Sequence, residues 1–111
     1  MHSVSYQPVQ AITIKAKEQL YKNRFVNHLG SLCRQDQKAI GVSELNWNVG
    51  ELAAVVSLGT IAVETATTVN VGDNLVSDLN GRAKIATGGS VNARALESTV
   101  GAGIIKAILV P

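Results

Sequence analysis

The sequence predicts an all-β fold: a small single-domain β-barrel or β-sandwich of short strands, with an extended N-terminal arm and at most one short helix. Three observations predict it. Valine (14), isoleucine (8) and threonine (7) are abundant, and these β-branched side chains suit a pleated, half-buried surface. Glycines stand at 30, 41, 50, 59, 72, 81, 88, 89, 101 and 103, mostly nine to thirteen residues apart, the rhythm of turns in a sandwich or barrel. The two prolines, Pro8 and Pro111, lie at the ends, so no strand between them is denied a backbone donor. At 111 residues the chain builds one core, because two domains would each be too small to stand alone.

Residues 1–10 form the arm and residues 11–111 the β domain. In the arm Val4, Tyr6 and Pro8 alternate with Ser3, Ser5, Gln7 and Val9, and Pro8 biases Gln7 toward an extended conformation. Such a segment is unstructured on an isolated monomer and can add as an edge strand to a neighbour. Residues 11–15 alternate weakly, and residues 15–20 offer the good helix formers of a short helix. Residues 25–26 and 39–42 are short strands. The strongest pair, 52–56 and 60–64, is separated by Ser57-Leu58-Gly59 and is apolar on both faces, as central strands are. Residues 75–76 and 82–85 flank an Asn80-Gly81 step that tolerates the positive φ of a hairpin turn. Residues 93–100 have room for one helical turn, and residues 104–110 form a buried terminal strand.

These elements carry either a faint internal repeat or the chance matches common in a Gly- and Val-rich β sequence. Asn23-Arg24-Phe25-Val26 with Gly30 resembles Asn74-Leu75-Val76 with Gly81. Residues 39–44 resemble 93–97, and Gly50 precedes a strand as Gly103 does.

The chemistry of catalysis is missing. The net charge of +2 is too small for a phosphate binder, and four aromatic residues are too few for base stacking, so no nucleic-acid partner is expected. The charge is uneven: residues 1–38 carry six basic side chains against Glu18 and Asp36, whereas residues 39–111 carry four against six acidic ones. That asymmetry can orient the protein on an acidic partner surface. Cys33 is alone, so no intrachain disulfide forms. No secretory signal is present, and the longest apolar run, residues 52–63, is too short to cross a bilayer as a helix, so synthesis in a cytoplasm and no membrane partner are expected. His28, Cys33 and Asp36 are ligand types for zinc but lack a fourth partner and the close spacing such sites use. The carboxylates are dispersed, and Gly88-Gly89 is not followed by the Lys-Ser/Thr of a phosphate loop. No catalytic residue, cofactor or metal is predicted, and the chain is not expected to be an enzyme. Trp47, between Asn46 and Asn48, is either a cap on one end of a barrel or a contact hot spot.

Several motifs together resemble a known family. Lys22-Asn23-Arg24-Phe25-Val26, Lys38-Ala39-Ile40-Gly41-Val42, the run from Gly50 through Glu64, Val71-Gly72-Asp73, Asp78-Leu79-Asn80-Gly81-Arg82-Ala83 and the Ala95-Leu96 to Leu109-Val110 ending are similar to tailed-phage capsid cement, or head-decoration, proteins. The resemblance covers about residues 19–111; the family's usual glycine is replaced by Ala95. It implies a structural virion protein on the outer surface of the phage head, made in the bacterial host cytoplasm. It also implies cementing of the shell by bridging neighbouring major capsid protein subunits, as a homotrimer at three-fold and quasi-three-fold positions. Val4, Tyr6, Pro8, Arg24 and Trp47 are the candidate capsid or subunit contacts. The alternatives are another virion β module, such as a tail part or fibre base, and a small β-barrel ligand-binding protein or enzyme.

Overall fold

The structure, a computed structural model, describes residues 6–111 and contains eight strands: β1 (Pro8–Lys15), β2 (Phe25–Val26), β3 (Gly41–Ser43), β4 (Leu52–Thr65), β5 (Asn74–Ser77), β6 (Ala83–Ile85), β7 (Ala93–Ala95) and β8 (Gly103–Leu109). The first half of β4 lies between β1 and β3, both antiparallel to it. Its second half pairs with β8, and β8, β7, β5 and β6 follow in turn until Ala83 of β6 returns to Thr65 of β4. That return closes a five-stranded ring. The fold is therefore a barrel, with further strands added through β4. Along β8 the pleat turns Ile105, Ala107 and Leu109 into the core and leaves Ile104 and Ile108 exposed.

Ser57-Leu58-Gly59 is not a turn. β4 runs through it as one 14-residue strand, and Gly59 bends that strand at φ 107°. A Cβ at Gly59 would overlap the backbone of Gln7 and Val9, and the β1–β4 register slips between Pro8 and Ala11 at the same place. Glycine here lets two strands cross closely at a bulge instead of reversing the chain.

Neither candidate helix forms, and no described residue is helical. After β1, Ala16 donates to Glu51 O, Lys17 to Gly30 O and Leu20 to Trp47 O, so the backbone donors go to distant partners. The second candidate contains β7. Residues 8–10, placed in the arm by sequence, begin β1, and the strand expected at 39–42 is shifted to Gly41–Ser43. The Asn80-Gly81 hairpin does join β5 to β6, with Gly81 at φ 80° and Asp78 Oδ1 accepting from the amides of Asn80 and Arg82.

The internal repeat is real and organises the whole molecule. Lys15 pairs with Leu52 as Glu64 pairs with Ile104, and Ala11 with Val56 as Thr60 with Ile108. Phe25 pairs with Val42 as Asn74 does with Arg94, and Ser43 with Val55 as Ala95 with Ala107. The bridge between Leu20 and Trp47 has its counterpart between Val69 and Thr99. Asn23 (φ 67°) donates to Ser43 O; Gly72 (φ 91°) donates to Ala95 O. Thus β1 corresponds to the second half of β4, β2 to β5, β3 to β7, and the first half of β4 to β8. The sequence match set Asn23 against Asn74, two residues beyond its structural counterpart.

Each half has its own buried cluster. Leu20, Val26, Ala53 and Val55 fill the first, against which Ile12, Ile14 and Trp47 pack. Their counterparts Val69, Leu75, Ile105, Ala107, Ile61 and Val63 belong to the second. Phe25, Cys33, Val42 and Val56 come from the first half yet join the second cluster, which welds the halves together.

Gly59→Ala should lower the free energy of unfolding by about 2 kcal/mol or more, through the left-handed φ and the overlap with Gln7. Urea denaturation reads this; an unchanged midpoint would show that the bend does not depend on glycine.

Candidate interaction surface

Glu64 sits on the outward face of β4, where the two halves meet. Its Oε1 lies 3.2 Å from Arg24 Nε and its Oε2 lies 3.1 Å from Arg82 Nε. The second contact lacks hydrogen-bond geometry and acts by charge alone. Arg24 also lies over the Tyr21 ring, 4.8 Å from its centroid. Its side chain is only 15% exposed, so it joins one half to the other and offers little to an outside partner.

Tyr6 and Pro8 line a recess of about 180 Å³ with Asn23, Glu44, Ile61 and Ala62. Gln7 fixes this segment to β4: its N–H donates to Thr60 Oγ1, and its carbonyl accepts from the Thr60 amide. Val4 lies outside the described residues. Trp47 is half-buried, exchanges both backbone hydrogen bonds with Leu20 and packs on the first half's core. Its Nε1 is buried with no partner among the described residues. The position is that of a cap on the first half. The structure therefore brings Tyr6 and Pro8 together and leaves Arg24 and Trp47 in separate structural roles.

The basic surplus of residues 1–38 is partly consumed inside the molecule. Arg34 pairs with Glu18 at 2.9 Å, and that hydrogen bond holds the Glu18 carboxyl below its usual range and raises the guanidinium. Lys38 Nζ donates to Val91 O and Val110 O, each at 2.8 Å, tying the first half to the C-terminal strand; burial lowers its pKa. Lys15, Lys17 and Lys22 remain exposed.

Two larger recesses, each of about 400 Å³, are open to solvent. Glu18 and Arg34, the charged groups of one, are bonded to each other; His28 and Lys38 border the other. No three His, Cys, Asp or Glu side chains among the described residues come together as a metal site would need. Apolar side chains are exposed at Leu45, Val49, Leu52, Val100 and Ile104, on turns and on the outward faces of β4 and β8.

No protein-family model matches the chain, and no curated protein matches it in sequence. Among solved structures it is similar to the head fiber gp8.5 N base in bacteriophage phi29, with a TM-score of 0.75 over 91% of this chain and 93% of that one. Identity is 20%, so the likeness is one of fold.

Cys33 is fully buried in the second cluster, and burial pushes its thiol from 9.0 up to about 12. It should resist thiol reagents in the native protein and react only on unfolding. A raised folded pKa contributes stability below the unfolded value that is lost as pH rises toward the folded one. Stability should therefore fall more steeply between about pH 9 and 12 in the native protein than in Cys33→Ala. Parallel alkaline unfolding curves for the two would refute this.

Proposed function

We propose that this chain is a structural virion protein, without enzymatic activity, that binds the outer surface of a tailed-phage head and cements it by bridging major capsid protein subunits as a homotrimer. The observation that carries the reading is the fold likeness to a phage head fiber base over nearly the whole chain. The cement-family motifs lie on that same fold: Val71-Gly72-Asp73 forms the turn before β5, and Asp78-Leu79-Asn80-Gly81 the β5–β6 hairpin. A rigid barrel with apolar side chains exposed at its turns suits a clamp. A ligand that binds only the assembled shell stabilises it by mass action, and contact with several subunits multiplies modest interfaces. The phi29 likeness also favours a second reading, in which the chain is the base of a fibre attached to the head.

Purified protein added to heads stripped of decoration should bind to a fixed stoichiometry and raise the temperature at which DNA is released. Full occupancy with no change in that temperature would favour the fibre base over the cement, and no binding would exclude both.

The arm contributes to this attachment under the same reading. Deleting residues 1–5 spares β1 and the Gln7–Thr60 contacts, so the barrel should keep its unfolding midpoint while occupancy on washed heads falls. Undiminished occupancy at low and high salt would show that the arm plays no part.

A further inference from the structure

We propose that the outer edge of β1 is a docking surface for a second copy of this chain, whose Gly72-Asp73 turn binds there with Asp73 opposite Lys15. The internal repeat supplies the geometry. In the second half of β4, the edge facing away from β8 is covered by the first half of the chain: Thr60 N–H donates to Gln7 O at 3.1 Å, and Glu64 N–H to Asn23 O at 2.7 Å. Arg24, next to Asn23, pairs with Glu64. β1 is the counterpart of that strand, with Ala11 standing for Thr60 and Lys15 for Glu64. Among the described residues no segment takes the place of Gln7 and Asn23 on this edge: β1 pairs with β4 alone, and Val9, Ala11, Thr13 and Lys15 are exposed.

The covering element also has a counterpart, the turn in which Asp73 Oδ2 accepts from the Asn70 amide at 2.8 Å. Gly72 stands where Asn23 does, in the same left-handed turn, and Asp73 stands where Arg24 does. The turn is open, since a Cβ on Gly72 would meet nothing within 4 Å. The charges decide between a coincidental edge and a built one. Arg24 against Glu64 becomes Asp73 against Lys15, reversed in sign on both sides and still complementary. Unlike surfaces meeting in this way make a head-to-tail contact, which closes into a ring or runs on as a filament. In the trimer proposed above, three such contacts alternate with the three intrachain ones, giving a ring of six like units. This deepens that reading by naming the subunit contact, and its test contains no phage.

The test uses two preparations, Lys15→Cys and Asp73→Cys, each keeping the buried Cys33. Mixed at about 1 mM and mildly oxidised, they should yield disulfide-linked heterodimers several-fold in excess of either homodimer. Charge reversal gives an independent reading: Lys15→Asp and Asp73→Lys should each weaken self-association about tenfold in sedimentation, and the double variant should recover it. Absence of heterodimer excess, a wholly monomeric chain at that concentration, or no recovery in the double variant would each overturn the proposal. None of these failures touches attachment to heads, which the occupancy measurement reads separately.

Discussion

The fold depends on β4 belonging to two units at once, an open set of strands and a closed ring. Its first half serves as the last strand of the first unit, its second half as the first strand of the second, and only the Gly59 bend separates them. Two units of about fifty residues would each fall near the size at which a hydrophobic core stops sufficing. A shared strand removes that weakness, because each unit's sheet continues into the other without a linker. Phe25, Val42 and Val56 then bury the outward face of the first unit against the second, so the pair folds around connected cores.

The two units match where they face inward and diverge where they face outward. Inside, Ile14 answers Val63, Val26 answers Leu75, and Ala53 answers Ile105: apolar side chains exchanged for others of different shape. Outside, the buried Phe25 and Val42 of the first unit become the exposed Asn74 and Arg94 of the second, with Arg94 Nε donating to Asn74 Oδ1. A terminal repeat that meets water in place of a neighbour takes such a polar outer face. The duplication is therefore kept by backbone pairing and burial, with little demand for identical residues.

That explains what was legible in the sequence. The β class followed from composition and turn spacing, and the Asn80-Gly81 hairpin from a dipeptide whose geometry is local. The repeat was visible but misaligned, because its sharpest shared feature is a left-handed turn filled by Asn23 in one unit and Gly72 in the other. Two different residues satisfy one φ requirement. The continuity of β4 was hidden for a different reason. Gly59 reads as a turn until Gln7 and Val9 are seen crossing it, and that contact joins residues far apart in the chain. Arg24 looked available for an outside partner because its acceptor, Glu64, lies forty residues away on another element.

The clamp role proposed above makes a mechanical demand on this junction. A structural protein that stabilises a shell must transmit force between its contact points without yielding. Separate domains on a linker would rotate before they resisted. Here Glu64 gathers Arg24 from the first unit and Arg82 from the second, while Lys38 reaches from the first unit to the carbonyl of Val110 at the end of the last strand. The ties run alongside the β4 backbone at other points of the junction. Relative motion of the units must then break partly buried polar contacts together with the apolar weld of Phe25, Val42 and Val56. Losing them together costs more than any one of them alone, which makes the junction stiff under small loads. Stiffness of this kind passes a load on one unit to the other through the junction.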